Sequence, residues 1–107
     1  MRLILSFVFL VFMAFHASAE TVYVKYQGSV NLNGFECSNT SSSFVHRICY
    51  QEKSNYLIVR LKNTYYHYCR LPERVYNNWL SASSKGRYYN GNIKGNYDCR
   101  MGGVPNS

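Results

Sequence analysis

Apolar and polar residues alternate along four short segments of the chain, and this alternation predicts half-buried β-strands. The predicted strands are residues 21–26, 44–50, 56–61 and 64–70. Tight turns at residues 51–55 and 62–63 join the last three strands, so we expect these three to pair as an antiparallel meander. Gly28 and Gly34 interrupt the pattern after the first strand, and residues 37–43 are predicted to form a polar loop.

The spacing of the apolar residues changes from the strand period to the helical period after Pro72. A proline suits the first turn of a helix, where its missing N–H group is not needed. The residues that recur at helical spacing are Val75, Tyr76, Trp79 and Leu80. They form a stripe that can cover one face of a sheet. After a break at residues 81–86, the four-residue spacing of Tyr89, Ile93 and Tyr97 predicts a second short helix or turn.

The two faces of the predicted sheet have different expected partners. Tyr66 and Tyr68, the core Tyr-x-Tyr pair, share one face and are expected to pack under the helix stripe. The opposite face carries Tyr56, Ile58, Tyr65 and His67. If neither the N-terminal strand nor the disulfides cover that face, it is an exposed apolar patch, which favours a protein partner.

Residues 1–19 have the organisation of a signal peptide. Arg2 supplies the positive charge, residues 3–15 form an apolar run broken only by Ser6, and residues 17–19 form a small-residue cleavage site. The alternative of a retained membrane anchor is disfavoured, because a spanning helix needs about 20 apolar residues. We therefore expect an exported protein, in the bacterial periplasm or secreted, with no transmembrane segment after cleavage.

The predicted mature chain begins at Glu20 and is short enough to form one small domain. Its expected fold class is α+β: a three- to four-stranded antiparallel sheet (meander) followed by one or two short helices on one face, stapled by disulfides. The chain divides into a signal peptide (1–19), an N-terminal extension with a strand (20–43), the main domain (44–100) and a flexible tail (101–107).

Four cysteines lie in the predicted mature chain: Cys37, Cys49, Cys69 and Cys99. An even number of cysteines in a small exported domain predicts two disulfides, for which three pairings are possible. Cys49 and Cys69 fall on the first and third strands of the meander, which is too far for a direct bond. Each is therefore expected to pair with one outer cysteine, Cys37 or Cys99.

The mature chain is basic. With Arg2 removed, eleven basic residues stand against five acidic ones, a formal net charge of +6. A charge of this sign attracts polyanions and anionic membrane surfaces. The alternative is a solubility feature alone, because a net charge of about 2–8 is ordinary for a small soluble domain.

Three stretches of the chain resemble the KTSC domain. The first, residues 56–68 (YLIVRLKNTYYHY), holds a central Tyr-x-Tyr at its end. The second, residues 71–76 (LPERVY), resembles the family's Val-Pro-x-x-Val-Tyr helix entry. The third, residues 84–97, resembles the ending Ser-x-Gly-x-Phe/Tyr-x-Asn, followed by Ile-Arg/Lys and Tyr.

The resemblance covers residues 44–97 and implies a three-stranded antiparallel sheet followed by helical segments. KTSC domains take their name from the C-terminus of some lysyl-tRNA synthetases and also occur as stand-alone bacterial proteins. RNA binding is the activity that this context implies. The chain departs from the family pattern in its signal peptide, its N-terminal extension and its cysteines.

The basic segment 85–100 is the candidate binding site. Its candidate ligand-binding residues are Lys85, Arg87, Tyr88, Lys94 and Arg100. The segment contains a single acid, Asp98, and further tyrosines between its cations. Cations pair with phosphates or carboxylates and aromatic rings stack on bases or sugars, so this composition suits an anionic polymer. The alternative is that Tyr89 and Tyr97 are core residues and the cations form an ordinary solvated surface.

Catalysis and metal binding have little support in the sequence. No motif places a nucleophile beside a base, and paired cysteines leave no thiolate. His46 and His67 lie near cysteines, so a zinc site is an alternative, but an oxidising compartment favours disulfides. We therefore predict no enzyme activity, no metal and no cofactor.

The predicted function is a non-catalytic binding module for an anionic polymer or an envelope partner. One alternative is a protein-interaction or structural envelope factor that binds through an exposed sheet face. A second is RNA binding, as implied for the family, and an unrecognised hydrolase that uses His46 or His67 is the least favoured.

Overall fold

The computed structural model describes residues 20–100 and 102–105. In chain order the elements are β1 (Thr21–Val24), β2 (Gly28–Asn31), β3 (Glu36–Asn39), β4 (Val45–Gln51), β5 (Tyr56–Leu61), β6 (Thr64–Tyr68), α1 (Glu73–Ser81), α2 (Lys85–Tyr88) and a π-helical turn (Tyr89–Ile93). The predicted signal peptide lies outside the described residues, as do Met101 and residues 106–107 of the predicted tail. Within the part of the chain that is described, no helix is long and apolar enough to span a membrane.

The predicted meander is present at the centre of the sheet. β4 pairs antiparallel with β5, and β5 pairs antiparallel with β6. The register places Leu57 between Tyr50 and Tyr68, so these three side chains share one face. β4 carries one extra residue between Val45 and Arg47, an irregularity that bends the strand.

The sheet is larger than the sequence indicated, because the N-terminal extension contributes three strands instead of one. Six strands lie in the order β2-β1-β6-β5-β4-β3, not three or four. The sheet is also mixed rather than antiparallel throughout, because β1 pairs parallel with β6 at Val24 and Tyr65. β1 ends at Val24, two residues earlier than predicted, because Tyr26 turns the chain with a φ of 72°.

The prediction of a polar loop at residues 37–43 was wrong for its first part. Glu36–Asn39 forms β3, which pairs antiparallel with β4. β3 is an edge strand with one neighbour in the sheet, and its residues are exposed or half-buried. Such a strand needs no apolar alternation, so the periodicity that predicts buried strands does not detect it.

The sheet is strongly curled. β2 and β3 lie at its two ends, yet only residues 32–35 connect them. In a flat sheet the end strands would lie roughly 24 Å apart, five spacings of about 4.8 Å. Five steps along the chain reach at most about 18 Å. An ion pair of 2.6 Å between Arg47 on β4 and Glu20, which precedes β1, also requires the two halves of the sheet to approach each other.

This curl gives the domain two apolar cores. On the outer face, Trp79 and Ile93 pack against β4 and β5 in the larger cluster. On the inner face, Val24 packs with Ile58 and with the cysteines. Tyr56 and Ile58 are only 4% and 0% exposed, so the N-terminal strands and the disulfides cover this face. The exposed patch on which the protein-partner alternative depended is therefore absent from this face of the described sheet.

The first helix agrees with the sequence. α1 begins after Pro72 and buries Val75, Tyr76 and Trp79, three of the four residues in the predicted stripe. The fourth, Leu80, is half-buried against the same core.

The second helical region begins earlier than predicted. α2 starts at Lys85, inside the predicted break, because the Ser84 hydroxyl accepts a hydrogen bond of 3.1 Å from the Arg87 N–H group and caps the helix. Tyr89 and Ile93 are buried, as their spacing indicates. Tyr97 lies beyond the π-helical turn with a φ of 60°, so the third position of the predicted repeat is not helical.

Two disulfides join the chain, Cys37 to Cys49 and Cys69 to Cys99. Each strand cysteine thus pairs with an outer cysteine, which confirms the expectation from strand spacing. Among the described residues no cysteine is free, so the cysteines of the zinc alternative are not available as thiolate ligands.

Candidate functional site

A polar groove lies between the β3–β4 connection and the start of α2. Its volume is about 780 Å³. One wall is residues 38–44, a run of hydroxyl and amide side chains that ends at Phe44, and the other comes from residues 80–90. We call it the serine groove; its lining residues are Ser38, Asn39, Thr40, Ser41, Ser42, Ser43, Phe44, Leu80, Ser83, Ser84, Lys85, Gly86, Arg87 and Asn90.

Hydrogen bonds within the first wall fix its shape. The Thr40 hydroxyl donates to the Val45 carbonyl, and the Thr40 N–H group donates to the His46 carbonyl at 3.0 Å. The Ser42 hydroxyl accepts from the N–H groups of Phe44 and Val45, at 3.4 and 3.2 Å. These bonds replace the regular ladder where β4 is bent, so the connection is a defined turn.

The second wall depends on a close contact between Gly86 and Phe44. A Cβ atom at Gly86 would lie 2.6 Å from Cε1 of Phe44, closer than two carbon atoms can approach. Glycine therefore lets α2 lie directly against the aromatic ring. With the Ser84 cap, this contact explains on physical grounds the Ser-x-Gly spacing of the chain.

Lys85 follows Ser84 and Arg87 follows Gly86, so both positions beside these structural residues carry cations. Lys85 lines the groove, and its Nζ donates to the Ala82 carbonyl at 2.6 Å, which leaves two of its three donors without a partner among the described residues. Arg87 is exposed, and its guanidinium makes no hydrogen bond or ion pair within the described residues. Among the residues that the structure describes, no aspartate or glutamate lines the groove. The serine groove therefore combines two cations with many neutral donors, which is suited to an anionic ligand.

The structure separates the other predicted ligand-binding residues from this pair. Tyr88 stacks on Trp79, with ring centroids 6.3 Å apart, and is half-buried. Lys94 is exposed after the π-helical turn and does not line the serine groove. Arg100 lies in a different groove, where it binds Asp98.

That second groove has a volume of about 560 Å³ and lies between the β1–β2 turn, β6 and residues 95–100. We call it the tyrosine groove; its lining residues are Lys25, Tyr26, Tyr66, His67, Tyr68, Gly95, Asn96, Asp98, Cys99 and Arg100. Arg100 donates from Nε and Nη2 to the Asp98 carboxylate at 3.0 and 2.7 Å. These bonds lower the pKa of Asp98 to about 2, so the carboxylate stays ionised.

Sequence reasoning missed Lys25 and Tyr26 as members of a site. They come next to residues 95–100 only because β1 pairs with β6. Local sequence holds no signal of that pairing, since the two strands are far apart in the chain.

Tyr66 and Tyr68 are half-buried against the helix-side core. The hydroxyl groups of Tyr68 and Tyr89 lie 2.6 Å apart and bond to each other. Burial and this bond raise the pKa of Tyr68. Both tyrosines also line the tyrosine groove, so each has one side in the core and another toward that groove.

The two histidines discussed as catalytic or metal-binding candidates have local partners. His46 places its ring nitrogens 3.2 and 3.3 Å from the carbonyl oxygens of Lys62 and Ser43. His67 Nδ1 lies 2.8 Å from the Tyr56 hydroxyl, and burial lowers the pKa of its imidazole. Over residues 20–100 and 102–105, no three His, Cys, Asp or Glu side chains cluster as a metal site would require.

Comparison with known proteins agrees with the sequence resemblance. The KTSC domain profile matches residues 41–97, which comprise β4 to β6, both helices and the π-helical turn. The chain is also similar to the crystal structure of a KTSC domain protein from Yersinia pestis. The TM-score is 0.58 at 34% sequence identity, with 60% of this chain and 92% of that chain covered. No curated protein matches the chain.

The match leaves β1 to β3 and the residues after Tyr97 outside the family region. Each disulfide joins one cysteine inside the matched region to one outside it, so the flanking segments are covalently fixed to the central unit. More than half of the chain matches in one continuous stretch, and the matched stretch has the meander and helices that the resemblance implied. The chain belongs to the KTSC domain family.

Proposed function

We propose that this KTSC protein is a non-catalytic binding module for an anionic polymer, which it holds in the serine groove. The observation that carries the proposal is the charge of that groove: Lys85 and Arg87 line it and no acidic residue does. The net charge of +6 for the predicted mature chain adds a long-range attraction for the same class of ligand.

The expected chemistry is charge pairing supported by neutral hydrogen bonds. Lys85 and Arg87 would each contact an anionic group, and the hydroxyls of residues 41–43 would donate to other ligand oxygens. Arg87 has no partner to give up within residues 20–100 and 102–105, so its contact would cost side-chain entropy and desolvation but no internal bond.

We also infer that the protein acts after export. Two disulfides in a small domain are typical of an oxidising compartment. The predicted signal peptide supports the same conclusion from independent residues.

The test is a salt titration of binding, with the disulfides intact, to single-stranded RNA and to an acidic polysaccharide in parallel. For single-stranded nucleic acid the slope of log K against log salt is about −0.7 per neutralised phosphate. A Lys85→Ala/Arg87→Ala variant lacks both groove cations, so its slope should be less negative than that of the wild type by about 1.4.

The matched control is Lys53→Ala/Arg74→Ala, which removes the same charge from two exposed sites outside both grooves. The control should keep the wild-type slope near its original value. Equal losses in the two double variants would mean that only net charge matters. Absence of salt-dependent binding to either polymer would refute the proposal, and the preferred polymer would distinguish RNA from an envelope ligand.

A further inference from the structure

The tyrosine groove contains an aromatic and cationic cluster, in which Lys25 and Tyr26 lie outside the region that matches the family and Tyr66 lies inside it. Lys25 Nζ lies 5.4 Å from the ring centroid of Tyr26 and 5.9 Å from that of Tyr66. A cation at these distances interacts with both rings. The Tyr26 side chain is 84% exposed, the largest exposure among the large hydrophobic residues described.

The backbone at Tyr26 is unfavourable for a tyrosine. Its φ of 72° is in the left-handed region, where a bulky side chain carries an energetic cost and glycine carries none. An exposed ring regains little of that cost by packing. Folding alone therefore gives no reason for an aromatic residue at this turn, whereas an exposed ring beside a groove is suited to ligand contact.

The charges of the groove distinguish it from the serine groove. Lys25 and Arg100 are cationic, but Asp98 also lines the groove and stays ionised beside Arg100. The Arg70 guanidinium donates to the Asp98 carbonyl at 2.8 Å, which fixes this segment further. A carboxylate here opposes a closely spaced row of phosphates, yet it can accept hydrogen bonds from hydroxyl groups.

A sugar ring that carries one anionic group fits these features together. Its C–H face can lie on an exposed aromatic ring, its anionic group can pair with Lys25, and its hydroxyls can donate to Asp98 or bond to the Asn96 amide. We propose that the tyrosine groove is a binding site for an acidic sugar unit, with Tyr26 and Tyr66 as the stacking rings and Lys25 as the cation. The proposal uses no residue of the serine groove and does not depend on the function proposed for it.

The experiment measures binding of a tetrasaccharide that contains a single galacturonic acid unit, by calorimetry and by amide chemical shifts of the oxidised protein. Its fully methyl-esterified, uncharged counterpart and a tetranucleotide RNA are the comparison ligands. The acidic sugar should shift the amides of residues 24–27 and 95–100, and esterification should weaken binding about fivefold. Because amide shifts report each groove separately, the shifts of residues 24–27 and 95–100 should persist in the Lys85→Ala/Arg87→Ala variant, whatever that variant loses at the serine groove.

Tyr26→Gly removes the ring and suits the left-handed backbone, so the variant should fold and its Kd should rise about tenfold. Tyr26→Phe should restore most of the affinity. The matched control is Tyr23→Ala, at an exposed tyrosine on β1 that does not line the groove, and its Kd should not change. Three results would each overturn the proposal: wild-type affinity in Tyr26→Gly, equal affinity for the ester, or tighter binding of the tetranucleotide at the same amides.

Discussion

Gly86 is the residue at which the structure makes its sharpest prediction about stability. A Cβ atom at this position would lie 2.6, 3.2 and 3.4 Å from three ring atoms of Phe44. Favourable contacts between carbon atoms begin at about 3.5 Å, so the Phe44 ring must move by about 1 Å to admit an alanine. The ring cannot move freely, because it packs edge-on against buried Tyr89 at 6.1 Å between centroids.

Two opposing terms set the size of the effect. Forcing an extra methyl group into a packed site costs about 1–3 kcal/mol. Alanine in place of glycine in a helix returns about 1 kcal/mol. Gly86→Ala should therefore lower the unfolding free energy by about 1 kcal/mol, or Tm by about 4–8 °C for a domain of this size.

Gly91→Ala is the matched control. Gly91 lies in the π-helical turn, and a Cβ atom there would meet nothing within 4 Å. This variant should be as stable as the wild type or up to about 1 kcal/mol more stable. Urea unfolding of both variants, with intact disulfides and circular dichroism as the signal, should show Gly86→Ala to be the less stable by about 1–2 kcal/mol at an unchanged m-value. A Gly86→Ala protein as stable as Gly91→Ala would refute the reasoning, and Phe44→Leu in the same chain should recover part of the loss.

Two further predictions concern the cross-links and the ion pair of the tyrosine groove. Replacement of Cys69 and Cys99 by alanine should cost about 0.8 kcal/mol more, in urea unfolding, than replacement of Cys37 and Cys49. The sequence separations are 30 and 12 residues, and closing the longer loop removes more entropy from the unfolded chain. Equal losses would contradict this. Arg100→Gln should raise the pKa of Asp98 from about 2 toward the ordinary aspartate value of about 4. The pKa of Asp98 is lower in the folded state than in the unfolded state, so the pair stabilises the wild type above about pH 4 and this contribution is lost as pH falls toward 2. If ¹³C NMR showed the same carboxyl titration in the variant, Arg100 would not be the cause of the lowered pKa.

The central part of the fold was predictable because its signals are local. Along each strand of the meander, alternate residues face the same apolar core, and each turn between strands is short. The helix stripe follows directly from the spacing of Val75, Tyr76 and Trp79. These features depend only on residues that are close in the chain, so the spacing of apolar residues predicts them.

The N-terminal half of the sheet depends on contacts that the local pattern of the sequence does not predict. β3 is a polar edge strand fixed beside β4 by the Cys37–Cys49 bond, and β1 joins the sheet through β6. Both pairings bring together residues that are distant in the chain or lack an apolar pattern. The number of strands and the curl of the sheet are consequences of these pairings, which is why the meander could be predicted and the six-stranded sheet could not.

The candidate site shows the same division at the level of single residues. Residues 85–100 form one basic run in the sequence, but the π-helical turn and the Cys69–Cys99 bond direct its two ends to different grooves. Lys85 and Arg87 both line the serine groove, since α2 forms part of one of its walls. Arg100 instead joins Lys25, a residue from the opposite end of the described chain.

The Ser84-x-Gly86-x segment also shows how far family membership extends toward function. Ser84 caps α2 and Gly86 allows the contact with Phe44, so both residues build the wall of the serine groove. The positions between and after them, Lys85 and Arg87, supply its charge and are not required by that packing. Changes at Gly86 should therefore alter stability, whereas changes at Arg87 should alter binding alone. A protein that keeps the serine and the glycine can carry other side chains at the positions of Lys85 and Arg87. The proposed ligand of this chain is therefore inferred from its own two cations and not from its family.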